Sequence, residues 1–424
     1  MKTLLRYGIA SVGPISSAGV QFALSLVLLH ALPTAEFGSF SFLLVLSQFS
    51  SSIAMALFCA PLLIVIHQTT LDERERDSVL AALFAGNALF SVAIGFVAVV
   101  CGLLLGVGTT ASMLFGIYAA IYLVRWYGRA FAYAEDRQLC TMFSDLTYMV
   151  VLAGGIVVLH LVEATTLPHV YAILILAAAA GLLPFGLPYL ARQMALGPMR
   201  RLGTYRKVWK EHARWSLLGV LSTEATINAH AYLVTAVAGP AAFAPIAASA
   251  LLLRPLSVGT NALSEFERSR MARMLARDDL ASARRAANGF RLMLVLVWLA
   301  TAMMAAAILL WAPTLLFPAR YDLNFLVIGA SMWMVIGFVR MVRAPDSALL
   351  QASGRLRPLA MASIMSAGIS VIGVLALLLT AGPLWSILGL LAGETIYAWR
   401  MSLLMTDLPP RARATAASQA TLVR

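Results

Sequence analysis

The chain has 424 residues, of which 61% are hydrophobic and only 12% charged, with a mean hydropathy of +0.86. A soluble domain carries about 25% charged residues, and no single core in water absorbs this much apolar surface. Lipid is therefore the solvent for most of the chain, and the net charge of +12 needs a membrane explanation rather than a nucleic-acid one.

Hydropathy and breaker residues predict twelve spans, near 8–31, 38–66, 79–105, 111–133, 140–162, 169–191, 213–238, 241–263, 289–311, 323–345, 358–380 and 384–404. The apolar run behind Lys2 and Arg6 continues to about Ala31. That is well past the apolar core of a secretory signal, so this is a retained first helix. Assigning the connections alternately to two sides puts 22 of the 31 Lys and Arg on one side and only Arg320 on the other. A missed helix would scramble that alternation, so the bias supports the count and predicts cytoplasmic termini. The excess charge is thus a topology signal. Eight basic residues remain within or at the ends of spans: Arg125, Arg129, Arg214, Arg254, Arg291, Arg340, Arg343 and Arg400.

This layout predicts an N-terminal six-helix lobe at 1–191, a linker at 192–212, a C-terminal six-helix lobe at 213–404 and a cytoplasmic tail at 405–424. In the linker, Leu202, Tyr205, Trp209 and His212 recur at three- and four-residue spacing with Arg201, Lys207 and Lys210 among them. Two readings are open: an amphipathic helix on the anionic cytoplasmic leaflet, or a merely basic connection. Ser264-Glu-Phe-Glu267 has the spacing of a capping box and predicts a cytosolic extension of the eighth or ninth helix.

Polar side chains are costly in hydrocarbon, so their distribution separates helices facing a wet cavity from those facing lipid. The first helix carries Ser16, Ser17, Gln21 and Ser25, and the second a polar centre, Ser47-Gln48-Phe-Ser-Ser-Ser52. The seventh carries Ser222, Glu224, Thr226, Asn228 and His230, and the eighth Ser249, Arg254, Thr260 and Asn261. The opening hairpin of each half is the polar one, as expected for two repeats whose hairpins face a central cavity. Ser and Thr serving as interhelical glue is the competing explanation.

Glu224 and Arg254 fall at similar depth on neighbouring helices, so either they pair to hold a hairpin together or Arg254 is a cavity cation that grips phosphate. Arg125 and Asp145 predict a second cationic patch with a carboxylate nearby, and Arg129 is expected to snorkel to the headgroups. Glu394 has no evident partner in the sequence, which predicts a carboxyl kept neutral by burial. Glu224, Asp145, Glu394 and His230 are the candidates for coupling or gating, and His230 reads either as a packed polar residue or as a proton relay. Prolines 14, 61, 184, 188, 245 and 255 lie within spans, where kinks are tolerated. Cys59, Cys101 and Cys140 have neither paired nor metal-ligand spacing. No phosphate-cradling glycine loop, HExxH or nucleophile elbow occurs, so the reading is a transporter without a cofactor, not an enzyme.

Three stretches resemble the multidrug/oligosaccharidyl-lipid/polysaccharide (MOP) exporter superfamily, and within it bacterial flippases for lipid-linked oligosaccharides. They are the opening stretch from Gly13 through Leu32-Pro-Thr-Ala-Glu-Phe-Gly-Ser-Phe-Ser41, then Arg125-Trp-Tyr-Gly-Arg129-Ala-Phe-Ala-Tyr-Ala134 and Arg343-Ala-Pro-Asp-Ser-Ala-Leu-Leu-Gln-Ala-Ser-Gly-Arg355. The resemblance implies an all-α, MATE-like integral membrane fold of two six-helix bundles around a central cavity. It implies an undecaprenyl-diphosphate-linked oligosaccharide as cargo, moved across a bacterial inner membrane for exopolysaccharide or O-antigen synthesis. Arg254 and Arg125 would meet the diphosphate, with Glu224, Asn228, Gln21, Gln48 and Asn261 as further substrate contacts. The partners implied are membrane lipids and the polysaccharide polymerase and export machinery. The rival readings are a cation-coupled multidrug exporter of the same fold and a membrane glycan polymerase or ligase. The short external connections argue against the enzyme.

Overall fold

A computed structural model describes residues 2–67, 72–194, 203–277, 279–353 and 355–406. The helices are α1 (Lys2–Ala31), α2 (Thr34–Ala54), α3 (Ala60–His67), α4 (Glu73–Leu104), α5 (Thr109–Ala134), α6 (Gln138–Leu161), α7 (Leu167–Ala180), α8 (Leu187–Met194), α9 (Tyr205–Val208) and α10 (Arg214–Ala238). Then follow α11 (Pro240–Ala250), α12 (Arg254–Ala276), α13 (Leu280–Trp311), α14 (Pro313–Leu316), α15 (Leu323–Ala352), α16 (Leu356–Thr380) and α17 (Ile387–Thr406). No strand occurs among the described residues. Each predicted span falls on helix, and seven described stretches are long and apolar enough to cross a membrane, including Glu73–Leu104 and Leu280–Trp311 at 32 residues each. The protein is a multi-pass membrane protein.

Three spans are broken where proline requires it. A π-helical turn, Met55–Cys59, separates α2 from α3, and 3₁₀ turns at Leu183–Phe185 and Leu251–Leu253 separate α7 from α8 and α11 from α12. A proline ring collides with the carbonyl four residues earlier and offers no N–H to it. Pro61 therefore frees the carbonyl of Leu57, and the hydroxyl of Tyr205 donates to that carbonyl at 2.9 Å.

In the predicted linker, 195–202 with Arg201 and Leu202 lies outside the described residues, as does the tail from 407. Tyr205 opens a helical segment that continues through a π turn, Trp209–Ala213, into α10. The capping-box expectation needs correction. Ser264 lies in the middle of α12, where propagation needs no cap, and the chain turns only after Ala276. The cap is Asp279, whose carboxylate accepts the Ser282 N–H at 2.9 Å. The eighth and ninth spans both extend beyond their predicted limits, where the spacing predicts an extension of one of them.

The chain forms two compact units, Met1–Leu221 with Ala238–Ala244, and Ser222–Val237 with Pro245 onward. In the first, α4 packs on α5, α7 on both α5 and α6, and α1 on α6. In the second, α13 packs on α15, α17 on both α15 and α16, and the Ser222 and Ser363 hydroxyls join α10 to α16 at 3.0 Å. Counted by spans, the third to sixth helices of each unit share one packing diagram, the signature of a repeat. The first unit is sealed by aromatic packing, with Phe84 edge-on to Tyr127 and Phe131 at 5.1 and 5.3 Å. Gly95 and Gly116 let α4 and α5 approach until a Cβ on either would strike the other's backbone.

Candidate functional site

Most hydroxyls of the polar hairpins are satisfied within their own helices. Ser25 donates to the Gln21 carbonyl, Ser50 to Leu46, Ser51 and Ser52 to Gln48, Thr226 to Ser222 and Thr260 to Leu256. Such back-bonding lets a serine occupy an apolar span without a partner helix. Gln48 is exposed, and the Gln21 amide reaches the Tyr148 hydroxyl at 3.4 Å. The side chain of Asn261 lies outside the described residues.

The charged residues sort more sharply. In the first unit Asp145 on α6 is fully buried between two arginines of α5, with Arg125 Nη2 at 2.5 Å and Arg129 Nη2 at 3.1 Å. Arg125 is itself only 2% exposed. Its Nε donates to Ser144 Oγ at 3.0 Å, Nη2 donates to the Ser144 carbonyl at 3.2 Å, and its plane lies 4.4 Å from the Tyr148 ring. Gly181 makes room: a Cβ there would meet the Arg125 Nε at 2.5 Å. These contacts correct two expectations. Arg125 is not part of an open cationic patch, because it is buried and its Nε and Nη2 donors are taken inside the unit. Arg129 does not snorkel, because the buried Asp145 carboxylate holds it and the Trp126 ring lies 4.7 Å beneath it.

The second unit repeats the device. Glu394 on α17 is fully buried and accepts Arg340 Nε at 2.7 Å and Arg343 Nε at 2.9 Å, both from α15. The Arg343 guanidinium lies 4.4 Å from the Tyr397 ring. Glu394 is thus a paired carboxylate, not the partnerless acid that the sequence suggested; its partners lie more than 50 positions away and cannot be seen along one helix. Each clamp is buttressed by a serine that bonds across helices: Ser144 Oγ donates to the Gly181 carbonyl at 2.6 Å, and Ser366 Oγ to the Gly393 carbonyl at 2.8 Å. Sequence reasoning missed these four residues. Repetition of small–acid–x–x–Tyr, in Ser144-Asp-Leu-Thr-Tyr148 and Gly393-Glu-Thr-Ile-Tyr397, was the available signal.

Arg254 is different. It is the first residue of α12, directly after the 3₁₀ break and Pro240–Leu253, an apolar stretch about 20 Å long at the helical rise. It is half-buried, and among the described residues it forms neither an ion pair nor a hydrogen bond. The pair with Glu224 is not formed. Glu224 Oε1 instead accepts the Tyr232 hydroxyl at 2.5 Å and the Asn228 amide at 2.9 Å, in a stripe of four-residue spacing along α10. Both donors come from its own helix, and Glu224 has no cationic partner among the described residues. His230 is buried with its ring edge-on to Trp333 at 5.0 Å. No cluster of metal-ligating side chains occurs among the described residues.

No protein-family model matches the chain, and no curated protein matches it in sequence. Solved structures do match in fold. One is the inward-facing conformation of a multidrug resistance MATE family transporter of the MOP superfamily, with TM-score 0.65 at 13% identity over 98% of this chain and 95% of that one. Another is the lipid II flippase MurJ in an inward closed conformation, with TM-score 0.68 at 11% identity over 94% and 88%. A third is a MOP superfamily transporter from Pyrococcus furiosus described by the reverse polarity of its binding pocket, with TM-score 0.58 at 14% identity over 97% and 96%. The chain therefore has the MATE-type fold of MOP superfamily transporters.

Proposed function

We propose that this protein is a flippase that carries a polyprenyl-diphosphate-linked oligosaccharide across the membrane by alternating access. The observation that carries the reading is Arg254. Four other intramembrane arginines, Arg125, Arg129, Arg340 and Arg343, are each held by a buried carboxylate, two to Asp145 and two to Glu394, whereas Arg254 is held by none among the described residues. A guanidinium left uncompensated in a span is expensive, and it persists where an anion belongs to the working cycle. A lipid diphosphate is such an anion, because its own desolvation in hydrocarbon costs many kcal/mol unless a cation meets it. Its outward movement is also favoured by an inside-negative potential, by about 2.3 kcal/mol per charge per 100 mV. The likeness in fold to a lipid II flippase is consistent with a lipid-linked cargo. On this reading the membrane is a bacterial inner membrane with the basic connections inside, and a polysaccharide polymerase with export machinery acts downstream.

A second reading, a cation-coupled multidrug exporter, is favoured by Glu224, a carboxyl group in the same unit without a cationic partner among the described residues. One experiment separates them. In a strain lacking the protein, lipid-linked glycan intermediates should accumulate on the cytoplasmic side and be cleared by the wild type but not by Arg254→Ala at equal membrane abundance. Export of glycan by Arg254→Ala, with drug resistance lost on Glu224→Gln, would favour the exporter instead.

A further inference from the structure

The α12–α13 hairpin projects past the apolar spans on the basic side, and its faces are built by spacing. Glu267, Arg270 and Met274 fall on one face of α12, and Ser282, Arg285, Gly289, Phe290 and Met293 on the facing side of the antiparallel α13. Between them lies a cleft of about 420 Å³, within the range of small-ligand sites. Its two ends differ in chemistry. Arg270 and Arg285 stand at the polar end, the first paired with the Glu267 carboxylate and the second within electrostatic reach of the Asp279 carboxylate. Arg270 pairs with Glu267 at 3.2 Å, whereas Arg285 donates to the Ser282 hydroxyl at 2.9 Å and has no ion pair among the described residues.

Toward the membrane the cleft becomes apolar. Phe290 forms a buried wall and Met293 is 47% exposed, one turn from the exposed Leu296, with Leu292 and Leu299 also exposed farther around α13. Gly289 lies open in between, with nothing within 4 Å of the place a Cβ would take. A cationic head continuous with an apolar, lipid-facing strip matches one kind of molecule, an anionic lipid with its phosphate at the arginines and a chain along Met293.

We propose that this cleft is a binding site for an anionic phospholipid of the cytoplasmic leaflet, held through its headgroup phosphate by Arg270 and Arg285. The site is separate from Arg254 and stands whichever cargo the protein moves. The test is native mass spectrometry of the full chain in detergent, titrated with phosphatidylglycerol. Arg270→Ala combined with Arg285→Ala should weaken binding about thirtyfold, the loss expected of two basic residues at a lipid surface. Gly289→Leu, which fills the cleft without touching a charge, should weaken it comparably, and Arg273→Ala on the exposed side of the same helix should leave it unchanged. Equal loss from Arg273→Ala, or no loss from the double variant or from Gly289→Leu, overturns the site. Displacement of phosphatidylglycerol by millimolar inorganic phosphate would reassign it to a soluble anion. Preference for undecaprenyl diphosphate over phosphatidylglycerol would make it a cargo site. Either result overturns the proposal.

Discussion

Asp145 holds the guanidinium of Arg125 at 2.5 Å with both side chains buried, across the contact between α5 and α6. Breaking such a pair from one side leaves an uncompensated charge in a dry interior, which costs about 3–5 kcal/mol. Asp145→Asn should therefore lower the thermal unfolding midpoint more than Arg129→Ala, since removing Arg129 still leaves Asp145 bound to Arg125. Replacing Arg125 and Asp145 together by Met and Asn should recover part of the loss. Differential scanning fluorimetry in one detergent gives the comparison, and equal stability of Asp145→Asn and wild type would sink the clamp.

Glu394 sits between two arginines at comparable distance, with Arg340 Nε at 2.7 Å and Arg343 Nη2 at 2.8 Å. A carboxylate with two partners retains one when the other is removed. Arg340→Ala and Arg343→Ala should each cost less than Glu394→Gln, which strands two cations at once. The same unfolding assay ranks the three, and an order with either arginine variant lowest would contradict the shared-carboxylate geometry.

The span count and the two-repeat layout are legible in the sequence, because apolar length and basic connections act locally and one residue at a time. The clamps are not, for a topological reason. The partners of Asp145 come from the preceding helix, those of Glu394 lie more than 50 positions upstream, and depth along one helix says nothing about which neighbour it faces. Depth alone also mispairs Glu224 with Arg254, because it ignores Tyr232 and Asn228 on the same stripe of α10. Arg254 is conspicuous in the sequence as a lone arginine after an apolar stretch. Its lack of a partner among the described residues is visible only in three dimensions.

Tyr205 ties the segment before α10 to the proline break in the second span, donating to the Leu57 carbonyl that Pro61 leaves free. Tyr205→Phe should cost about 1 kcal/mol, the net worth of one hydrogen bond. Pro61→Ala restores an N–H for that carbonyl, so Tyr205→Phe should cost much less in a Pro61→Ala background. A double-mutant cycle on unfolding midpoints reads the coupling, and additive losses would show that the two residues act independently.

Asp279 offers a pH test outside the membrane. The Ser282 hydroxyl and then its backbone N–H hold the exposed Asp279 carboxyl below its usual value. With the folded pKa depressed, its support for the start of α13 is complete above the ordinary aspartate range and is lost as pH falls through the lower folded value. Hydrogen exchange at 280–284 should accelerate below about pH 4. In Asp279→Asn, which still caps but cannot titrate, exchange should lack that acid dependence. Parallel pH profiles in the two proteins would contradict the assignment.

Arg254 and Arg125 make opposite predictions, which separates function from structure at two chemically identical side chains. Arg125 is 2% exposed with Asp145, Ser144 and Tyr148 around it. Arg125→Ala should therefore lower the unfolding midpoint, with transport falling because less folded protein reaches the membrane. Arg254 has no such partners among the described residues, so Arg254→Ala removes a desolvated charge and should leave stability unchanged or slightly raised. Its transport of lipid-linked glycan should be lost all the same. Arg254→Lys keeps the charge but not the planar fork that grips phosphate in two places, and should transport at a rate between wild type and Arg254→Ala. Measuring midpoint and flux on the same preparations decides the matter. A destabilised Arg254→Ala with normal flux per folded molecule would make Arg254 another structural arginine and remove the observation on which the flippase reading rests.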